Sequence, residues 1–473
     1  MNPETDAKDA GAGQDESPRL VRAIGLKTAI NLNVLNMVGV GPFITLPLMV
    51  AALGHLAILG WICGALLALC DGMIWAELGT RFPESGGSYL YLSQLYGPQR
   101  WGRLLSFLFI WQLLFSAPLS TASGAVGLAN YASYVFPGLS AALYRMHAGS
   151  HTMQLTGATL VAMAACGLAT ALIYTGIQTV GRISRVLSVG VILALLWVIA
   201  SGIFQFHRAA AGAAVSGPIG TAGFGTGLLI AMYNYGGYYN ICFLAGEVRD
   251  PRRVIPRAVV LSIVIVALLY VFLNLSVLRV IPAAQFAHDT GALHASVVAV
   301  LMQRLYGRWA GLLMALLIVW TAFASVFSVL LGYSRVPFAA ARDNNFFHPF
   351  GRLHPEKRFP TVSLVVLGGL AVFFCIFRLT SLIAALIVTR IVFQFLLQAF
   401  GLLLFRKRIG GSSTAFRMPL YPVPVLVAIA GFVFVLARAQ DLGHKLLFAG
   451  LLLFSGLLLY GVRALVARRP VTP

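Results

Sequence analysis

The feature that most constrains this chain is the recurrence of long apolar runs from one end to the other. Each run has about 17 to 25 residues, which is the length that an α-helix needs to cross the hydrocarbon core of a bilayer. Hydrophobic residues make up 59% of the chain and charged residues only 10%, whereas a soluble domain carries about 25% charged residues. The sequence therefore predicts an all-α integral membrane protein.

Short polar connections divide the apolar runs into about twelve predicted spans. Residues 1–27 are predicted to form a disordered cytoplasmic tail, and residues 466–473 a second cytoplasmic tail. No connection is long enough for a globular domain, which argues against receptors and sensor kinases with a soluble output module. The predicted spans are residues 28–53, 57–80, 104–136, 154–174, 183–204, 223–246, 255–281, 309–334, 361–377, 379–405, 421–438 and 442–465.

Basic residues are concentrated in alternate connections and give the chain a net charge of +20. Cytoplasmic loops of membrane proteins are rich in Lys and Arg and face anionic lipid headgroups. We interpret the charge as an orientation signal that places both termini in the cytoplasm. A nucleic-acid partner is not expected, and the lipid bilayer is the expected surroundings.

Two predicted spans are interrupted near their middles by residues that weaken helices. An unwound stretch inside a bilayer is tolerated only where its freed N–H and C=O groups line a cavity or bind a ligand. Breaks at corresponding positions of two halves are the best sequence pointer to a transporter binding site, although glycines also serve close helix packing. The interrupted stretches are Val38, Gly39, Val40, Gly41, Pro42 and Phe43 in the first span, and Tyr235, Gly236, Gly237, Tyr238 and Tyr239 in the sixth.

The two breaks predict complementary binding groups. Amides at the N-terminus of a half-helix attract anions, so those of residues 39–41 and of Phe43 are candidates to hold a carboxylate. Carbonyls released at the end of a half-helix suit an ammonium group or a cation, here around Val38 and residues 235–237. A site with both kinds of group binds a zwitterion, and an amino acid is the expected substrate.

Four sequence blocks resemble the amino acid–polyamine–organocation (APC) superfamily of permeases. They stand in the order of that superfamily over most of the chain, and the second and third blocks are the most specific. The blocks are residues 39–43, residues 76–89, residues 235–237 with 245–253, and residues 334–335 with 341–343 and 354–355.

The resemblance implies a leucine-transporter-type fold, which is a five-plus-five inverted repeat with two extra C-terminal helices. It assigns residues 28–204 to the first repeat, 223–405 to the second and 421–465 to spans eleven and twelve. It also implies alternating access around a central site formed by spans one, three, six, eight and ten. The expected location is the plasma (inner) membrane.

Charged residues at the ends of spans two and six have two candidate roles. Glu77 and Arg81 are spaced i,i+4, which predicts an ion pair on one helix face. Glu247 follows span six in the third block. Helix capping and charge pairing explain these residues structurally, while the resemblance implies a cytoplasmic gate.

The sequence predicts a secondary carrier rather than an ATP-driven pump. A phosphate-binding GxxxxGK[ST] loop is absent, and no lysine lies between Lys27 and Lys357. Many relatives carry a lysine in span five that replaces a sodium ion or carries a proton, and Val191 stands at that position here. No cofactor is expected, and the coupling ion is either H⁺ or Na⁺.

Few polar groups inside the spans are candidates for coupling. Asp71 lies near the middle of span two and Arg390 within span ten, and intramembrane charges are functional candidates by default. Asp71 either carries protons or pairs with Arg390 to fix helix packing. A sodium site is a further hypothesis, from the carbonyl region of Val38 with the hydroxyls of Ser325 and Ser328, although such serines often bond their own backbone.

Other functions are weighed against amino acid transport. A polyamine or related organic amine needs acidic residues in the pocket. Polyamine-type relatives have an acidic residue at the position of Tyr239, which argues against this substrate here. Asp71 matches an acidic residue in span two of those relatives, which argues for it. A non-transporting amino acid sensor would share the same site. An intramembrane enzyme is not expected, because HExxH is absent and no His lies at the centre of a span. The five cysteines lie in apolar stretches without a close-spaced pair, so no metal site is expected.

Overall fold

The computed structural model of the chain shows helices joined by short connections. It describes residues 20–99, 101–148, 151–204, 221–282, 285–286, 292–377, 387–409, 416–438 and 442–467. The helices are α1 (Leu26–Met37), α2 (Gly41–Leu53), α3 (Ala57–Arg81), α4 (Ser88–Tyr96), α5 (Trp101–Val135), α6 (Gly157–Ile173), α7 (Ile177–Phe204), α8 (Thr221–Tyr235), α9 (Asn240–Phe243), α10 (Pro251–Val280), α11 (Ala292–Tyr306), α12 (Arg308–Tyr333), α13 (Arg335–Arg342), α14 (Thr361–Phe374), α15 (Leu397–Ile409), α16 (Val423–Ala437) and α17 (Leu442–Ala467).

The helices have the length and composition of a multi-pass membrane protein. In the described part of the chain, seven helices are long and apolar enough to cross a bilayer, and the pair α1 and α2 passes the same test as one bent span. The helices α6, α14 and α16, and the part Ser296–Tyr306 of α11, are apolar but shorter. The all-α membrane fold is confirmed, while the count of twelve spans stays a prediction.

Both predicted breaks are present in the fold. The axes of α1 and α2 differ by 50° across the break between them, where Pro42 occupies the first turn of α2, a position that needs no amide hydrogen. The second break separates α8 from the single turn α9. Gly237 lies in this break with φ +129°, a conformation that side chains rarely adopt.

The broken helices lie at the centre of the bundle. The half-helix α1 packs against α7, α10 and α12, and α2 packs against α8. Around them, α3 lies along α10 and α5 lies along α12. Helix α15 is preceded by a π-helical stretch, Ile391–Leu396. These contacts bring the two breaks together, although they are about 200 residues apart in the chain.

Several predicted connections contain regular structure. The fourth span was expected to begin at residue 154, but residues Ala142–Ala148 and His151–Thr156 form an antiparallel hairpin, β1 and β2. Helix α6 therefore begins at Gly157, where Thr156 forms a capping box with Thr159. The helices α4, α11 and α13 also lie between predicted spans, since hydropathy alone does not report short helices.

Candidate functional site

A cavity of about 270 Å³ lies between the two broken helices. It is lined by residues of α1, α2, α5, α8, α12 and α16 and of the helical segment around Arg390. The α16 residues were not anticipated; the other helices correspond to predicted spans one, three, six, eight and ten. The predicted site residues that line it are Gly39, Val40, Gly41, Gly236, Tyr239, Ser325 and Arg390.

The remaining residues of the two breaks pack into the bundle instead of lining the cavity. Val38 and Phe43 are fully buried, and Pro42 is buried in the first turn of α2. Tyr235 donates a hydrogen bond to the Trp61 carbonyl at 3.2 Å, toward α3. The breaks are therefore two-sided, with one side open to the cavity and the other packed against neighbouring helices.

The first break leaves fewer amides free than the sequence suggested. The Gly39 amide donates to the Met37 carbonyl at 3.2 Å, and the Phe43 amide donates to the Val40 carbonyl at 3.1 Å. Val40 is the N-cap of α2 and Gly41 is its first residue, and the helix has no carbonyl of its own to offer the amides at this end. These two amides are the better candidates for an anion at the positive end of the α2 dipole.

Asn234 connects the two breaks across the cavity wall. Its Nδ2 donates to Thr45 Oγ1 of α2 at 2.9 Å and to the Ile230 carbonyl of α8 at 2.7 Å. Its Oδ1 is buried and has no hydrogen-bond partner in the described part of the chain. A side chain at Gly41 would overlap this oxygen. Glycine is therefore required at position 41 for close approach of α2 to α8.

Asn33 ties α1 to the second break and was not among the residues that the sequence singled out. Its Nδ2 donates to the Tyr238 carbonyl at 2.6 Å, and its Oδ1 accepts from the Ile241 amide at 3.0 Å. The buried side chain thus satisfies a carbonyl and an amide that the unwound backbone leaves free. A polar residue within an otherwise apolar span was the signal that could have identified it.

Asp71 and Arg390 do not form the ion pair that was one of the two hypotheses. Asp71 Oδ2 accepts a hydrogen bond from the Tyr238 hydroxyl at 2.6 Å, on the packed side of the second break. An Arg390 guanidinium nitrogen donates to Ser120 Oγ at 3.0 Å, and the guanidinium lies 5.6 Å from the centre of the Tyr333 ring. The two charges have different partners because Asp71 faces Tyr238 of the second break while Arg390 lines the cavity.

The serines of α12 lie beside the first break, as the sodium hypothesis requires. Ser328 Oγ donates to the Leu32 carbonyl at 2.7 Å and accepts from Asn240 Nδ2 at 3.0 Å. Ser325 Oγ donates to the Asn36 carbonyl at 3.4 Å. The hydroxyls therefore bond the backbone of α1 rather than that of their own helix. Among the described residues, no cluster of three or more His, Cys, Asp and Glu side chains is placed to hold a metal ion.

Buried ion pairs lie at the ends of the helices, away from the cavity. The predicted i,i+4 pair is confirmed, with an Arg81 nitrogen 3.0 Å from Glu77 Oε1. Glu77 also pairs with Arg406 of α15. Glu247 pairs with Arg335 at 3.0 Å, and both side chains are 1% exposed. Burial raises the pKa of the Glu247 carboxyl above its ordinary value, and the Arg335 guanidinium opposes this shift.

Known proteins match the chain along nearly its whole length. The model of a family described as amino acid permease matches residues 24–454. The serine/threonine exchanger SteT of Bacillus subtilis (strain 168) is 28% identical over 427 residues, which cover 89% of this chain and 92% of that protein. The human Asc-type amino acid transporter 1 is 26% identical over 369 residues, covering 76% of this chain and 66% of that protein. The human cationic amino acid transporter 4 is 26% identical over 391 residues, covering 81% and 60%.

Proposed function

The chain belongs to the amino acid permease family, and we propose that it is a secondary transporter that moves amino acids across a membrane by alternating access. The observation that carries the proposal is the cavity between two broken helices, with α2 presenting its first amides to it. In a bilayer, irregular backbone of this kind is expected where it binds a substrate.

In the proposed binding mode, the substrate lies between the two breaks. Its α-carboxylate accepts from the amides of Val40 and Gly41, at the positive end of the α2 dipole. Its ammonium group contacts the backbone carbonyl of Gly236, which lines the cavity just after the C-terminal end of α8. Asn234 holds the two half-helices at a fixed separation through Thr45. A molecule that lacks the carboxylate loses the contacts with the α2 amides, and a molecule that lacks the ammonium group loses the contacts with the second break.

The charge of the cavity favours an amino acid over a polyamine. Arg390 is the charged side chain among the described residues that line it, and no carboxylate is among them. A polyamine carries two or more ammonium groups, which need acidic partners when they leave water. The relatives named above are an exchanger for serine and threonine and transporters for amino acids, which is consistent with the same class of substrate.

We also propose H⁺ as the coupling ion, with Asp71 as its carrier. Asp71 accepts from Tyr238, which belongs to the second break, and its Oδ1 is buried without a partner in the described residues. Proton uptake at Asp71 changes this hydrogen bond and so acts directly on the second break, which borders the proposed substrate site. Na⁺ at the contact of Ser325 and Ser328 with α1 is the alternative.

In the membrane, the termini are proposed to face the cytoplasm.

Counterflow in proteoliposomes tests the function whichever ion is coupled to transport. The vesicles are preloaded with one unlabelled compound, and uptake of the labelled compound is followed for neutral, acidic and basic amino acids, putrescine and spermidine. We expect accumulation of at least one class of amino acid. Accumulation of polyamines alone would contradict the carboxylate site, and binding of an amino acid without any flux would favour a sensor.

A further inference from the structure

The cavity carries one unbalanced positive charge. Arg390 lines it, and within the described segments its neighbours there are apolar, hydroxyl or amide side chains without a carboxylate. Its guanidinium donates to the Ser120 hydroxyl, but Nε is buried and has no hydrogen-bond partner among the described residues. A buried charge is costly unless it is paired. An arginine in this position is therefore arranged for an anion that arrives with a ligand.

A small recess of about 20 Å³ beside Arg390 extends the cavity toward α5. Ser116, Ser120 and Ser123 of α5 line this recess, and Tyr233 closes another side. Ser116 Oγ is buried and, like Arg390 Nε, lacks a partner in the part of the chain that the structure describes. A guanidinium with hydroxyl donors around it is a set of groups that suits a carboxylate.

The recess is separate from the amides proposed for the α-carboxylate. Those amides belong to Val40 and Gly41 at the start of α2, whereas the recess lies between α5 and the segment that carries Arg390 and Ile387. A zwitterion satisfies the two breaks and leaves Arg390 unpaired. A substrate with one further carboxylate on its side chain fills both positions and balances the charge of the cavity.

We propose that Arg390, with the serines of α5, binds an anionic group on the substrate side chain, so that the carrier prefers acidic amino acids. This inference rests on the proposed function and specifies its substrate class. Arg390 acts as the specificity-determining residue, because the α-amino and α-carboxylate groups are bound elsewhere. Basic amino acids are disfavoured, since their side chains bring a second positive charge next to the guanidinium.

The sharpest test compares substrate pairs of the same shape. Glutamate and glutamine differ in a carboxylate and an amide, as do aspartate and asparagine. Initial rates in proteoliposomes give kcat/KM for each, and we expect the wild-type protein to favour the acid of each pair. In Arg390→Gln, which keeps hydrogen-bond donors but loses the charge, the acid-to-amide ratio is expected to fall by about 10- to 100-fold. Arg390→Lys should retain a preference for the acid.

Arg249→Gln is the matched control, because it removes the same charge from an exposed position that is not part of the cavity lining. Its acid-to-amide ratio should equal that of the wild type. Three results overturn the inference: a wild-type preference for the amides, an unchanged ratio in Arg390→Gln, or an equal loss for all substrates, which would place Arg390 at the α-carboxylate. In each of these cases amino acid transport itself stands. Absence of flux for every amino acid instead refutes the proposed function, and this inference with it.

Discussion

A methyl group added at Gly41 should impair the substrate site more than its size suggests. The new Cβ would lie closer than 3.0 Å to Asn234 Oδ1, a separation that side chains do not tolerate. Asn234 cannot move freely, because its Nδ2 is bonded to Thr45 Oγ1 and to the Ile230 carbonyl. Relief of the overlap therefore separates α2 from α8 or breaks these bonds.

The cost follows from these contacts. Overpacking by one methyl group costs about 1–3 kcal/mol, and loss of the Asn234–Thr45 hydrogen bond adds about 1 kcal/mol. If the sum of about 2–4 kcal/mol falls on the binding-competent arrangement of the breaks, kcat/KM decreases by about 30- to 700-fold. We expect a decrease in this range for Gly41→Ala, measured by counterflow with the best substrate of the panel.

Gly167→Ala is the matched control, since this glycine lies in α6 and an added Cβ there meets nothing within 4 Å. It should transport as the wild type does. In the background of Asn234→Ala the penalty of Gly41→Ala should shrink, because the overlapping oxygen is gone. Equal transport by Gly41→Ala and Gly167→Ala, with both proteins folded, would refute the assigned contact between α2 and α8.

Three further predictions concern the charged groups. Glu247→Gln leaves Arg335 buried without a counter-charge and should lower the free energy of unfolding by about 3–5 kcal/mol. The measurement is the melting temperature in detergent, which should fall, and an unchanged melting temperature would contradict the ion pair. Asp71→Asn should abolish uptake driven by a pH gradient while exchange continues, and unchanged pH dependence would exclude Asp71 as the proton carrier. Partial desolvation raises the pKa of the Asp343 carboxyl, so the folded state binds the proton of this carboxyl more tightly than the unfolded state does. Stability should then fall as pH rises through the interval between the two pKa values, and Asp343→Asn should flatten that part of a melting-temperature profile.

Local sequence predicted much of the fold. Apolar runs identify membrane helices because a lipid-facing helix must be apolar along its whole length. The breaks at residues 38–40 and 236–239 follow from the glycine and proline residues in them and beside them. The i,i+4 pair of Glu77 and Arg81 is also local. The inverted repeat and the positions of the termini stay predictions.

Contacts between distant segments decided what each candidate residue does. Asp71 and Tyr238 are 167 residues apart, and Arg390 and Ser120 are 270 residues apart. Nothing local in the sequence specifies such a pairing, and of the two hypotheses for Asp71 the pair with Arg390 was wrong. The sequence alone did not identify the cavity-facing serines of α5, because isolated hydroxyl residues are common in membrane helices.

The sequence by itself determined that the chain forms membrane helices and where two of them break, because hydropathy and backbone flexibility are properties of neighbouring residues. Only the tertiary structure decided that Tyr239 and Gly236 line the cavity while Tyr235 and Tyr238 pack against α3. An unwound stretch does not fix the direction of its own side chains, so the helices packed on either side of it determine which residues reach the substrate.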